Sequence, residues 1–159
     1  FAVCSDPVPR LYSFLPGADK YVCGGVMPFS PACWVSVDVS DTKRMGIYEQ
    51  AFLDAAEKIA IDHHGTNPGF GNLCCVEPDT AAAGEIMLRV IKAMNVDITT
   101  EIAECLYTAK STDCGNFSFF CTKKETLEAA GECVSCGAEP EKLSRILFTA
   151  ADDSLRFVK

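Results

Sequence analysis

Two short apolar runs in this chain end in the same way, and that repetition limits what it can fold into. Cys33-Trp34-Val35-Ser36-Val37 closes on Asp38, and Lys58-Ile59-Ala60-Ile61 closes on Asp62. Short continuous apolar runs separated by helical stretches are the pattern of parallel strands in an α/β sheet covered on both faces. A buried strand is therefore expected at 33–38, and a second at 58–62. The carboxyl ends of parallel strands gather along one edge of an open sheet, where ligands bind. Asp38 and Asp62 are expected to meet there, with His63 and His64 beside them. Asp113 lies in Ser111-Thr112-Asp113-Cys114-Gly115, after a helix that can return to the same edge.

The rest of the chain supplies the helices. Phe1-Ala2-Val3-Cys4 reads as a strand entered in mid-fold, and the prolines that follow (Pro7, Pro9, Pro16, Pro28, Pro31) rule out regular helix there. Ala83, Ile86, Met87, Val90, Ile91 and Met94 share a helical face, with a cap expected at Asp79 or Thr80. Ile98, Ile102, Leu106 and Ala109 repeat the spacing. Ser118-Phe119-Phe120-Cys121 suggests a strand. Thr122 to Glu125 has the form of a capping box, for a helix that carries Leu127, Ala130 and Val134 and stops at Gly137. Pro140 suits the first turn of a helix bearing Leu143, Ile146, Leu147 and Ala150, and a further helix is expected to run off the end at 154–159. One domain is expected over 1–159, a mainly parallel α/β sheet flanked by helices.

Charge and cysteine usage narrow the function. Fourteen Lys+Arg against 22 Asp+Glu give a net charge of −8, which argues against a basic footprint for duplex DNA. A phosphate ligand stays open, because metal ions can supply local positive charge. No apolar run approaches the roughly 20 residues of a membrane span, and no signal-peptide pattern opens the chain. A soluble, cytoplasmic chain is the default expectation. Ten cysteines form about 6% of the chain, below the level of a disulfide scaffold, and read as reduced thiols. Cys133-Val-Ser-Cys136 is a lone C-x-x-C that closes a helix. It lacks the partners of a zinc site, so no metal or catalytic role is expected for it.

The acids and histidines carry the chemistry. Carboxylates with imidazole are hard-to-borderline ligands suited to Mn²⁺ or Mg²⁺. A single Asp at a strand end is more often a helix cap. Two adjacent histidines directly behind an apolar run ending in Asp fit that plain reading less well.

Ala60-Ile61-Asp62-His63-His64-Gly65-Thr66-Asn67 resembles the signature that names the DHH phosphoesterases. Asp6-Pro7-Val8-Pro9 and Phe14-Leu15-Pro16-Gly17 are similar to a segment of the nanoRNase/phosphoadenosine-phosphate phosphatase branch. Val37-Asp38-Val39-Ser40-Asp41 with Arg44 and Gly46 resembles the second motif. Phe70-Gly71-Asn72, Glu77-Pro78-Asp79 and Gly84-Glu85-Ile86 resemble the stretch after the signature. Leu106 to Ala109 with Ser111 to Gly115 resembles the fourth motif.

The resemblance implies two Mn²⁺ ions, with Mg²⁺ as a substitute, that activate water for attack on phosphorus. It assigns Asp38 and Asp113 as metal ligands, Asp38 shared between the ions, and His63 as the imidazole ligand. Asp62 is a ligand or orients the site, and His64 and Asn67 contact the substrate phosphate. The catalytic group is then Asp62, His63 and His64. Short single-stranded RNA or a nucleotide is the implied substrate, and a homodimer is left open. The sequence also departs from the family. The first motif, a His followed by two closely spaced Asp, is missing, as is the C-terminal DHH-associated domain. Thr80-Ala81-Ala82-Ala83 replaces a hydroxyl-richer stretch, and Cys114 stands where Thr is usual. This fragment alone is therefore expected to be inactive. The alternatives are a non-catalytic nucleotide-binding or regulatory domain, a cyclic-dinucleotide phosphodiesterase, a single-strand exonuclease of the RecJ type and a family II pyrophosphatase.

Overall fold

The computed structural model describes residues 1–27 and 29–149. Pro28, Ala150 and the helix expected at 154–159 lie outside the described residues. The chain divides into two compact units, one of residues 1–13 and 17–79, the other of residues 14–16 and 80 onward.

The first unit holds both sheets. β1 (Val3–Cys4) pairs in parallel with β2 (Val22–Cys23). β3 (Cys33–Val37), β4 (Glu57–Asp62) and β5 (Leu73–Val76) form a second sheet in the order β3-β4-β5, again parallel throughout. A 3₁₀ stretch (Thr42–Tyr48) and the short helix α1 (Glu49–Asp54) connect β3 to β4. The α/β class read from the two apolar runs is the class observed.

The burial expected of the first run is not. β3 leaves Val35 51% and Val37 40% exposed, and buries only Ser36. Among the described residues it is hydrogen-bonded to β4 alone, whereas central β4 buries Ala60, Ile61 and Asp62. An apolar run reports strand propensity, and it overstated burial where the strand has a single described neighbour.

β5 was not anticipated. Asn72 fixes its start: the Asn72 N–H donates to the Lys58 carbonyl at 2.8 Å, and the Asn72 side-chain oxygen accepts from the Lys58 N–H at 2.8 Å. Gly71 makes that approach possible. A Cβ there would meet Leu73 O at 2.7 Å and Ala60 N at 2.9 Å.

The second unit is helical: α2 (Ala83–Ala93), α3 (Thr100–Asp113), α4 (Lys124–Ser135) and α5 (Pro140–Ser144), followed by a π-helical turn at Arg145–Thr149. Leu88, Ala103, Leu106, Tyr107, Ala130, Cys133 and Leu143 form its core; of these Leu106, Ala130 and Leu143 lie on the faces read from the spacing, whereas Met94, Leu127 and Val134, read onto the same faces, are exposed. Among the described residues no helix is long and apolar enough to cross a membrane.

Three local expectations shift. α2 begins after Ala82, which takes the cap position expected of Asp79 or Thr80. The start of α4 slips one residue past the Thr122 box: Lys123 takes the cap position, and its N–H donates to the Thr126 hydroxyl at 3.3 Å. Ser118–Cys121 is a run of turns, not a strand. Gly115, Asn116 and Phe117 all have φ between 53° and 62°, and the N–H groups of Ser118 and Phe119 return to the Cys114 carbonyl. Left-handed backbone at three consecutive residues cannot lead into an extended strand at that point. The stop at Gly137 and the start at Pro140 stand as expected. The Ala138 N–H reaches Cys133 O, and the Gly137 N–H reaches Val134 O, which is the Schellman arrangement.

The core also holds a polar pair that the sequence did not announce. Lys110 and Cys133 are both completely buried, and Lys110 Nζ donates to Cys133 Sγ at 3.3 Å. Burial pushes the Cys133 thiol up, and the neighbouring Lys110 only partly offsets this. Cys133 is therefore the polar anchor of a buried amine and not an inert core thiol. Cys133→Ala is expected to cost about 1–3 kcal/mol of stability by stranding the amine, and adding Lys110→Met should recover most of it. Urea unfolding of the wild type and both variants measures this; an unchanged midpoint in Cys133→Ala would show that the contact contributes nothing.

Candidate metal centre

The site forms where β3 and β4 end together. Val37 is paired with Ile61, and the next residues along are Asp38 and Asp62. The Asp38 N–H still donates to Ile61 O at 2.9 Å, continuing the ladder. Asp38 then adopts φ 60°, a left-handed conformation that Asp tolerates better than most residues. The strand stops there, and the carboxylate is left at the carboxyl edge of the sheet.

Asp62 is the centre of a dense set of hydrogen bonds. Its side chain is fully buried. Oδ1 accepts from the backbone N–H of His63 at 2.8 Å and of His64 at 3.2 Å, and it lies 2.8 Å from His64 Nδ1. Oδ2 accepts from Asn67 Nδ2 at 2.8 Å. Burial alone would raise the carboxyl pKa, but the bonds from Asn67, the His64 ring and the two N–H groups together hold it below the ordinary aspartate range.

Asn67 is engaged at both ends. Nδ2 also donates to Val39 O at 3.0 Å, and Oδ1 accepts from the Gly69 N–H at 2.8 Å. One side chain thus ties the loop after β3 to the acid that ends β4. Sequence reasoning missed this clamp, although Asn67-Pro68-Gly69 carries its signal: Asn bonding the N–H two residues on is an Asx turn.

The histidines complete the cluster. His63 Nε2 lies 3.3 Å from Asp38 Oδ1, and His64 Nδ1 lies 3.6 Å from the same oxygen. The rings stand 4.5 Å apart at 59°. One ligand atom from each of Asp38, Asp62, His63 and His64 lies within 4.8 Å of the others. The structure therefore brings these four residues together. Asp113 is the last residue of α3 and belongs to the second unit.

This donor set fits a divalent cation. Ligands about 2.1 Å from an octahedral ion stand roughly 3 Å apart when adjacent, close to the 3.3 Å between His63 Nε2 and Asp38 Oδ1. Asp62 fits direct ligation less well, because N–H donors already occupy both of its oxygens.

No protein-family model matches the chain. It is 37% identical over 142 residues to the bifunctional oligoribonuclease and PAP phosphatase NrnA of Thermus thermophilus, covering 88% of this chain and 42% of that protein. The Bacillus subtilis protein of the same name is 28% identical over 137 residues, again across 42% of its length. This is an NrnA-like chain of the DHH family. It spans less than half the length of these NrnA relatives. An exopolyphosphatase-related protein from Bacteroides fragilis superposes with a TM-score of 0.85 at 22% identity, covering 92% of this chain and 46% of that one. At that identity the likeness speaks for the fold alone.

Asn67→Ala is expected to raise the Asp62 pKa towards its ordinary value and to lower stability by about 1–2 kcal/mol near neutral pH. A carboxyl whose folded pKa is depressed stabilises the fold above its unfolded value of about 3.9. That contribution is lost as pH falls through the folded pKa. The stability gap between wild type and variant should therefore narrow in acid. Carbon-detected NMR titration of the Asp62 carboxyl with unfolding at several pH values tests this; an unmoved pKa would remove Asn67 from the account.

Proposed function

We propose that this chain carries part of the catalytic centre of a manganese-dependent phosphoesterase acting on short oligoribonucleotides and on 3′-phosphoadenosine 5′-phosphate. The observation that carries the reading is the placement of Asp38 Oδ1 and His63 Nε2, 3.3 Å apart at the carboxyl edge of a parallel sheet. Its support is the similarity to the two proteins named as oligoribonuclease and PAP phosphatase.

In this reading Asp38 and His63 hold metal, and the family resemblance assigns Asp113 the same role. Mn²⁺ is the preferred ion and Mg²⁺ a substitute. A bound pair of such ions lowers the pKa of water and stabilises the attacking and leaving oxygens of a phosphoryl displacement. The protein's part is positional. Asp62 fixes His64 through Nδ1 and the turn through the N–H groups of His63 and His64. The His64 side chain is 45% exposed and is the group we assign to the substrate phosphate. Asn67 is given a positioning role in place of the phosphate contact that the family resemblance implies, because both its Nδ2 bonds and its oxygen are directed at the protein. The short RNA strand or nucleotide would meet a chain of net charge −8, so its affinity depends on the bound cations.

His63→Ala and Asp38→Ala are each expected to weaken Mn²⁺ binding by at least tenfold, following the roughly 10–100-fold that even supporting residues of metal sites contribute. Calorimetric titration of the chain measures this. In a longer protein that also carries the upstream His and Asp pair, His63→Ala or Asp113→Ala should abolish product release from RNA of a few nucleotides in Mn²⁺. If that longer protein is inert with Mn²⁺ on every phosphoester tried, the catalytic reading is wrong, and a non-catalytic nucleotide-binding domain replaces it.

A further inference from the structure

Away from the metal centre, two cysteines face each other across the smaller sheet. Cys4 on β1 is in direct register with Cys23 on β2, and their sulfurs lie 3.3 Å apart. Both are half-buried, so a small oxidant can reach them. Cys4 Sγ donates to Asp6 O at 3.0 Å, and Cys23 Sγ lies 3.8 Å from Tyr21 O. Nothing separates the two thiols.

We propose that Cys4 and Cys23 are a redox modification site that forms a reversible disulfide. The sulfurs need to close by only about 1 Å to reach a bond length near 2.05 Å. Neighbouring strands stand about 4.8 Å apart, within the Cα range of disulfides but wider than their mean Cβ separation of about 3.8 Å. The bond therefore pinches the strands. Disulfides that carry such strain are the more readily reduced kind, suited to reversible use and not to permanent stapling. A sheet of two residues per strand can yield to the pinch, since its ladder is so short.

The oxidant is a low-molecular-weight disulfide such as oxidised glutathione. One cysteine thiolate attacks it, gives a mixed disulfide and releases one glutathione thiol. The second cysteine then attacks the protein sulfur of that mixed disulfide and releases the other glutathione. Two thiols lose two electrons and two protons, and the glutathione disulfide takes up both. Burial and the adjacent Cys23 push the Cys4 thiol up to about 11.

Ser5 gives the bond a route to its surroundings. Its hydroxyl donates to Met45 O at 2.9 Å and accepts from the Ile47 N–H at 3.0 Å, so movement at Cys4 pulls on the turn between β3 and α1.

The test is incubation with oxidised glutathione, alkylation of remaining thiols, trypsin digestion and mass spectrometry. Cys33→Ala is the background, because the tryptic peptide 21–43 otherwise holds both Cys23 and Cys33. The expected product is peptide 1–10 joined to peptide 21–43 and lighter by two hydrogens. It should outnumber glutathione adducts on Cys4 or Cys23 by at least about tenfold, since a neighbouring thiol held in place acts at an effective concentration above millimolar. In Cys4→Ser, Cys23 should instead keep its glutathione, and excess reduced glutathione should undo the linked product. Adducts on exposed Cys33 and Cys74 of the wild type without any linked peptide would overturn the proposal. So would a linkage that survives excess reduced glutathione.

Discussion

A carboxylate without contact with water is the constraint on which the first unit depends. Asp62 is fully buried, and removing an ion from water costs several kcal/mol unless partners replace the lost hydration. Its donors come from the next two backbone N–H groups, from the His64 ring and from Asn67. Supplying them dictates the turn after β4, the orientation of one histidine and the return of the chain at residue 67. Asn67 passes the constraint on, because the same amide group that serves Asp62 also grips the Val39 carbonyl beyond β3. The centre is a consequence of satisfying one buried charge.

The sheet and the centre divide the work differently. Register places Asp38 beside Asp62 through the ladder alone, since Val37↔Ile61 is the last paired step before both acids. No side-chain contact is needed to bring them close. Aiming them is a separate matter. Asp38 is aimed by its own backbone conformation and Asp62 by the donors around it, which leaves Asp38 45% exposed at the side chain and Asp62 buried. Two chemically identical residues thus take different parts: one faces outward to where a cation can be held, and the other faces inward to hold the frame.

The legible part of this protein was whatever depends on pattern. Short apolar runs ending in Asp gave the parallel α/β class, and the helical spacing of Ala83–Met94 and Ile98–Ala109 gave α2 and α3. The four clustered residues were readable because strand ends and a His-His pair are visible as text. What stayed hidden depends on tertiary contact. β5 is a four-residue strand set by the pinning of Asn72 to Lys58 and by the space at Gly71. The exposure of Val35 follows from sheet order, which no local window contains. Lys110 lies on a face that reads as amphipathic helix, and only the arrival of Cys133 from α4 explains why a lysine is buried there.

The left-handed backbone of Asp38 has a consequence for how this position can drift under mutation. Most side chains are disfavoured at φ 60°, and asparagine is among the few that accept it as readily as aspartate. Asparagine is also one base change from either aspartate codon. The substitution that the fold tolerates best is therefore the one that deletes the charge and keeps the shape. Glutamate, which would keep the charge, loses the short stem and the local fit. A lineage could shed the chemistry of this edge without disturbing the sheet, and its proteins would look intact in outline while having lost the ion.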